Sequence, residues 1–541
     1  MKVAQLILEA VQRPGLYLDL LLVVTGLGIV LLVSLCVYRL FFHPYAKYPG
    51  PFLAKLTSWY SVYHVYIGDL HTHIWECHEK YGDLVRFGPN RLLVNSSQGL
   101  RGIYGHGKNV SKSKGYLKIS LVPGVHPTLG TLDDKAHGKL RRLLNLGLSN
   151  AQLRNMDDEM SGLAKLFASR VGEKRDRFNP RVEASDDGWS APKNMAEWSD
   201  FFTFDVMSQL VFGTSYDLLT DAENHWIIDG VLGQMRRISF LTTLPELQDM
   251  GFHRILFPDA RSRAIRFSMK SRQIMEARSQ QQEKSFDGST TTETPRKDIF
   301  SRLLTAKDPD TGEGLSQSQL WAESNLLIIA GSDTSSTGIA ALFFYLTRNP
   351  SAYAKVAQEV RATFISEEDV SQGPKLHSCS YLRACVQEAL RLAPAASGAM
   401  WREARDGGLQ IQDTSVYIPS GCEVGTGIYS LNHNKVNFPN PFEFHPERWI
   451  ASEAGEEAVR LAKLGFATFS FGPRNCVGKA LAEVEIMLAL AAVLRRFDFR
   501  SSDTDLGKVG EGEGRYAGQY HTFWAFTSLK KGPFLQFRPI E

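Results

Sequence analysis

Leu20 to Tyr38 reads LLLVVTGLGIVLLVSLCVY, nineteen residues without a charge. No other feature narrows the possible architectures as far. At ~1.5 Å of rise per residue, a helix of that length extends about 28 Å, close to the hydrocarbon thickness of a bilayer. Backbone polar groups in lipid must bond within the segment, so a helix is the economical conformation. A buried core helix would usually show a polar face, and this run has none. A cleaved signal peptide would have a shorter apolar region followed by a small-residue cleavage site.

Arg39, Lys47 and Lys55 follow the run, while Lys2 and Arg13 precede it. That bias leans towards a body on the cytosolic face. Residues 1–42 are therefore read as a single-pass membrane anchor and 43–541 as the body. The body has no second long apolar run. Two sequons, Asn95-Ser96-Ser97 and Asn109-Val110-Ser111, are expected to stay unglycosylated. HPYAKYPGP, with Pro44, Pro49 and Pro51, stops the helix and predicts a stiff, extended connection.

The 541 residues are 43% hydrophobic and 22% charged, which excludes a disordered chain, a collagen-like repeat and a disulfide mini-protein. Lys+Arg 61 against Asp+Glu 58 leaves +3, too little to imply a nucleic-acid partner. Six cysteines are scattered with no CxxC pair, so they read as reduced thiols and not as a zinc or redox framework. Hairpins are predicted at Leu84–Val94, at Leu409–Ile418 and in the C-terminal TSLKKGPFLQF. Most of the remainder is helical. Polar stretches at 172–194 and 280–297 read as surface loops, with helical patterns resuming on both sides. The fold expected is one large, mainly α body with small β-sheets.

The longest helix should start at Ser316, with Ser316 and Gln319 as a capping box, and end at Asn349 before Pro350. Its middle, LLIIAGSDTSSTG, sets Gly331, Ser332, Asp333 and Thr334 in an apolar span. Glycine costs ~1 kcal/mol relative to alanine there, and Asp and Thr are indifferent helix formers. A local break where the helix bends around something is expected, a solvent-facing polar turn being the alternative.

Phe469-Ser-Phe-Gly-Pro-Arg-Asn-Cys476-Val-Gly478 precedes a long helical run. Backbone N–H groups at a helix start can donate to sulfur and favour thiolate, and Arg474 adds a nearby cation. Gly472 and Gly478 would let backbone approach a flat group closely.

FSFGPRNCVG resembles the cysteine-ligand loop of the cytochrome P-450 monooxygenases, and the likeness extends along nearly the whole chain. The resemblance implies a cytochrome P-450 fold with haem b held by the Cys476 thiolate, which donates electron density that favours O–O cleavage. Phe469, Arg474 and Gly478 come with it as cofactor-binding positions. Ala330–Thr334 (AGSDT) resembles the oxygen-activating turn, where Asp333 and Thr334 would manage protons. Glu388-Ala-Leu-Arg391 resembles the family's E-x-x-R pair, and Phe444–Trp449 the segment with a second arginine, Arg448. Together they imply a buried ion network. Glu388 and Arg391 are three apart and share a helix face. Lys135–Arg142 resembles the helix crossing the haem edge, where His137 and Arg141 would face the propionates. Arg402 is a further propionate candidate, with Arg405 as the alternative. Lys135, Lys139 and Arg142 fall on the opposite side. That face is either solvated or a dock for an acidic reductase.

His71, His73, Cys77 and His78 look like a metal cluster, but helical spacing sets His73 and Cys77 opposite His71 and His78. Gly510–Gly514 (GEGEG) is no dinucleotide fingerprint. Electrons must then come from a separate protein. The resemblance implies an NADPH-dependent cytochrome reductase, with cytochrome b5 as a possible second donor, in the endoplasmic reticulum membrane. The function expected is insertion of one atom of dioxygen into an apolar small molecule, the substrate lying against Leu327–Ala330, Ala395–Met400 and Lys112–Gly130. MWREARDGG and GCEVGTGIYSLNHN are similar to fungal members that decorate polyketide, terpenoid or indole-derived scaffolds. Oxidative ring closure or desaturation on the same haem is the nearest alternative. A non-catalytic membrane haem carrier or sensor is the alternative of another class, and it would not need Asp333 and Thr334.

Overall fold

The computed structural model describes residues 14–179, 184, 187–286, 298–412 and 414–540. Lys2 and Arg13, cited above for orientation, lie outside these.

The anchor is a helix from Pro14 to Val37, longer than the apolar run, and it closes in a π-helical turn, Tyr38–Phe42. Its apolar side chains are exposed from Leu18 onward, so nothing in the body covers them. The central helix Gln317–Arg348 is also long and apolar enough to cross a membrane, yet most of it is buried inside the body. One apolar cluster runs from Tyr116 to Phe537 and collects this helix with Met195–Phe212, Ser380–Leu392 and Lys479–Arg496. The body is mainly α with small sheets.

Ser316 caps the central helix, its Oγ accepting from Gln319 N at 3.1 Å. The reciprocal half of the predicted capping box is not made, because Gln319 Nε2 donates instead to His126 O and Glu323 Oε1. The predicted break is also absent, since the helix is continuous from Gln317 to Arg348. Gly331 has a different reason to be glycine. A Cβ there would stand 2.5 Å from Met207 Sδ on the neighbouring helix. The position is a close crossing of two helices.

Leu84–Gly88 and Arg91–Val94 form the expected hairpin, as do the short strands Leu409–Gln410 and Tyr417–Ile418. The first hairpin belongs to a five-stranded sheet. Arg91–Val94 pairs in parallel with Glu423–Gly425, then come Arg402–Ala404 and Val110–Lys112. The C-terminal hairpin lies one strand earlier than predicted. Thr527–Lys530 folds back on Thr522–Ala525, and Phe534–Pro539 pairs with Phe497–Ser501 and Lys193–Asn194. Lys530 explains the separation: its buried ammonium donates to Asp200 and Ser336, which draws the strand end under the central helix.

The two polar stretches are also more structured than loops. Helix Pro258–Phe286 takes the first part of 280–297, and residues 287–297 lie outside those described. Within 172–194, Ser190 and Ala191 are buried, and their N–H groups donate to Phe537 O and Lys174 O.

Candidate active site

The cysteine loop is a tight backbone construction. Cys476 N donates to Phe469 O at 2.9 Å, and Gly472–Arg474 forms a single 3-10 turn. Gly472 has φ +75, and a Cβ on it would sit 1.9 Å from Tyr104 O. This glycine therefore serves a close approach to the chain at Tyr104. Gly478 is the N-cap of helix Lys479–Arg496. Cys476 has exposed surface, but desolvation by the surrounding loop pushes its thiol up, against Gly478 N–H, Arg141 and Lys479. The Gly478 N–H at the helix start thus acts towards thiolate, as expected, together with Arg141 and Lys479, while desolvation acts the other way. A coordinated metal ion would reverse that balance.

Helix Asp134–Gly147 sets His137 and Arg141 beside the loop. Arg141 clamps Asn475, Nη1 donating to the carbonyl at 2.6 Å and Nη2 to Oδ1 at 2.8 Å. Arg474 Nη1 donates to Thr131 O at 2.6 Å, and its Nη2 donates to Leu132 O and Asp134 Oδ1, both at 2.9 Å.

Lys112 was not singled out from sequence, yet it is buried directly opposite Arg402 across paired strands. Like charges in that relation repel. Lys112 Nζ donates to Leu129 O, and Arg402 lies 4.8 Å over the Tyr104 ring. Burial, then Arg402 and Arg474, hold the Lys112 ammonium well below its ordinary range. Burial, then Arg474, Lys112 and Arg141, push buried His137 down to about 3. Asp134 is the one carboxylate among the described residues that ion-pairs here, and it serves Arg474 and half-exposed Arg405. Arg402, not Arg405, belongs to the buried group. Such a surplus of buried cations beside a cysteine fits a ligand with its own carboxylates, as haem has.

On the central helix, Ala330 and Thr334 keep exposed surface one turn apart within a buried span. Thr334 Oγ1 donates to Ala330 O at 2.7 Å. Asp333 turns the other way. It is buried, and burial pushes it up to about 6 against the Lys530 charge and the Thr527 hydroxyl. The two residues of the turn are not on one face. Ser113, Tyr116, Ala399 and Trp401 help to line a small cavity of about 40 Å³ that no residue of the central helix lines among those described.

Glu388, Arg391 and Arg448 meet in the core. Arg391 Nε and Nη2 donate to the two Glu388 oxygens at 2.9 Å, and Arg448 Nε to Oε1 at 2.9 Å. Sequence reasoning missed Trp449 Nε1, which donates to Oε2 at 2.9 Å, and His445 N at 3.0 Å.

The basic face and the histidine group lie apart from the cysteine loop's hydrogen bonds. Lys139 pairs with Glu313 and exposed Arg142 with Asp308 and Asp310, while exposed Lys135 has no ion pair among the described residues. His73 touches Cys77 at 3.5 Å, whereas His71 packs on Tyr429 and His78 bonds Gly82 O. Among the described residues no three side chains are arranged to hold a metal ion by themselves.

A cysteine at a helix start beside a group of buried cations, in a mainly α fold, fits a haem-thiolate site. The family profile for cytochrome P-450 matches residues 49–513, and the chain belongs to that family. It is 63% identical over 514 residues to the cytochrome P-450 monooxygenase apf7 of Gibberella fujikuroi, covering 94% of this chain and 96% of that one. It is 38% identical to the cytochrome P-450 monooxygenases AKT7 of Alternaria alternata and atnE of Emericella nidulans. Those matches cover 93% and 95% of this chain, and 95% and 96% of theirs. The protein is a monooxygenase of this family, in which a cysteine thiolate holds haem iron and a reductase supplies electrons. Its apolar N-terminal helix suggests a membrane anchor.

Proposed function

We propose that the chain is a monooxygenase of fungal secondary metabolism, anchored by residues 1–42 in the endoplasmic reticulum membrane with the body 43–541 in the cytosol. Cys476 would hold the iron of haem b through its thiolate, with Phe469 and Gly478 beside the cofactor. Arg402, Lys112, His137 and Arg474 receive the propionates, while Arg141 fixes the loop through Asn475. When bound, haem supplies reductive activation of dioxygen, one atom going to the substrate and the other to water.

Thr334 presents its hydroxyl on the exposed strip of the central helix, where it can hold a proton for the reacting oxygen. Asp333 serves from behind as a buried acid whose charge Lys530 tunes. Glu388, Arg391 and Arg448 hold the cofactor pocket together and take no part in turnover. Electrons come from NADPH through a membrane reductase, with cytochrome b5 as a second donor. The substrate is an apolar polyketide, terpenoid or indole-derived scaffold.

The observation that carries this reading is buried Lys112 facing buried Arg402, with no carboxylate ion-paired to either among the described residues. The test is incubation of the membrane-bound enzyme with reductase, NADPH and isotope-labelled dioxygen on metabolite extracts. A product carrying one labelled oxygen supports it. Products that lose hydrogen and gain no label would assign desaturation or ring closure instead.

A further inference from the structure

Positive charge collects where the anchor meets the body. Arg39 lies in the π-helical turn that ends the anchor, and Lys55 on the short helix Phe52–Leu56. Arg86, fully buried on strand Leu84–Gly88, donates from Nη1 to Arg39 O at 2.7 Å and from Nη2 to Pro89 O at 2.8 Å. Its Nε has no hydrogen-bond partner among the described residues. Arg39 in turn donates from Nη1 to Leu56 O. These bonds satisfy donors but neutralise nothing. Among the described residues, no carboxylate ion-pairs with Arg39, His43, Lys55 or Arg86.

The electrostatics agree with the geometry. Burial, then Arg86 and Arg39, push His43 down to about 4, and burial with Arg86 lowers the Lys55 ammonium. The junction is also held firmly. Arg86 N donates to Pro49 O at 2.7 Å, and a Cβ on Gly50 would meet Arg86 O at 2.2 Å. The prolines therefore join a docked segment and not a free tether.

The level of the cluster is set by its neighbours. The apolar span ends at Phe42, and Phe41, Phe42, Phe52, Leu53 and Trp59 are exposed around it. Exposed aromatic side chains beside the end of a span belong at the membrane–water interface. Arg39 and Lys55 then lie among the headgroups, and the exposed phenyl rings beside acyl chains.

We propose that this junction binds the phosphate of an anionic phospholipid headgroup, with Arg39 and Lys55 as contacts and Arg86 as the buried charge behind them. The proposal rests on the membrane-anchor reading. A free phosphate offers the same anionic oxygens but has no acyl chain for Phe41 and Phe42 to meet.

The test uses the full-length haem-loaded enzyme, released from nanodiscs of phosphatidylcholine mixed with phosphatidic acid, with retained lipid identified by native mass spectrometry. Wild type should retain phosphatidic acid. The double variant Arg39→Gln, Lys55→Gln should lose retention by about 25-fold, fivefold for each basic side chain, with insertion into phosphatidylcholine unchanged. Equal retention by both proteins overturns the proposal. Displacement by inorganic phosphate as readily as by phosphatidic acid overturns the lipid assignment. Failure of wild type to insert into phosphatidylcholine vesicles sinks the anchor reading instead.

Discussion

Glu388 and Arg391 face each other through two hydrogen bonds of 2.9 Å on one helix, with neither side chain exposed. A carboxylate held between Arg391 and Arg448 stays below its ordinary range despite full burial. Removing one partner of such a pair strands charge and costs about 3–5 kcal/mol. Glu388→Gln should yield protein with reduced haem content and a lower unfolding midpoint. Equal haem content and stability would show that the network contributes nothing to the pocket.

Gly472 is a sharper test of the cysteine loop. An alanine there combines a left-handed backbone with a clash against the Tyr104 carbonyl, which is main chain and cannot step aside. Gly472→Ala should cost more than about 2 kcal/mol and release haem. Gly82→Ala, at a similar positive φ with open space around it, should retain haem. Equal haem loss in both variants would contradict the role given to Tyr104.

Thr334 and Asp333 separate proton handling from haem binding. Thr334→Ala removes an exposed hydroxyl and no packing, so haem content should hold. Product formed per NADPH should fall several-fold, with peroxide rising in its place. Unchanged coupling would defeat the proton role.

Glu485 predicts a pH dependence. Burial in helix Lys479–Arg496 pushes its carboxyl from 4.5 up to about 8, against Ser335 on the central helix. Between those values the folded protein keeps a proton that the unfolded chain has lost. Glu485 therefore makes stability fall as pH rises through this window, by at most about 1.4 kcal/mol per unit. Above about 8 both states are ionised and the slope ends. Glu485→Gln should flatten the decline and gain most over wild type near pH 8. An unaltered pH profile of the unfolding midpoint would refute it.

What could be read from the sequence divides by distance along the chain. Glu388 and Arg391 were legible because three residues on a helix fix their relation, and the Cys476 loop because its residues are contiguous. Lys112 was not, because its pairing with Arg402 arises only when two distant strands join. Gly331 was misread as a break for the same reason: Met207, which requires it, belongs to another helix. The contact of Gly472 with Tyr104 was invisible for the same reason, Tyr104 being remote in sequence. In TSLKKGPFLQF the alternation located both strands correctly but paired them with each other, since Asp200 beneath Lys530 was invisible.

The central claim is that Cys476 alone supplies the protein's bond to haem iron. The direct measurement is the absorption spectrum of the reduced carbon monoxide complex of wild type and Cys476→Ser. Wild type should show the red-shifted Soret band of a thiolate-ligated carbonyl, and the variant should lose it while the anchored chain remains in the membrane. An identical band from the variant would contradict the account.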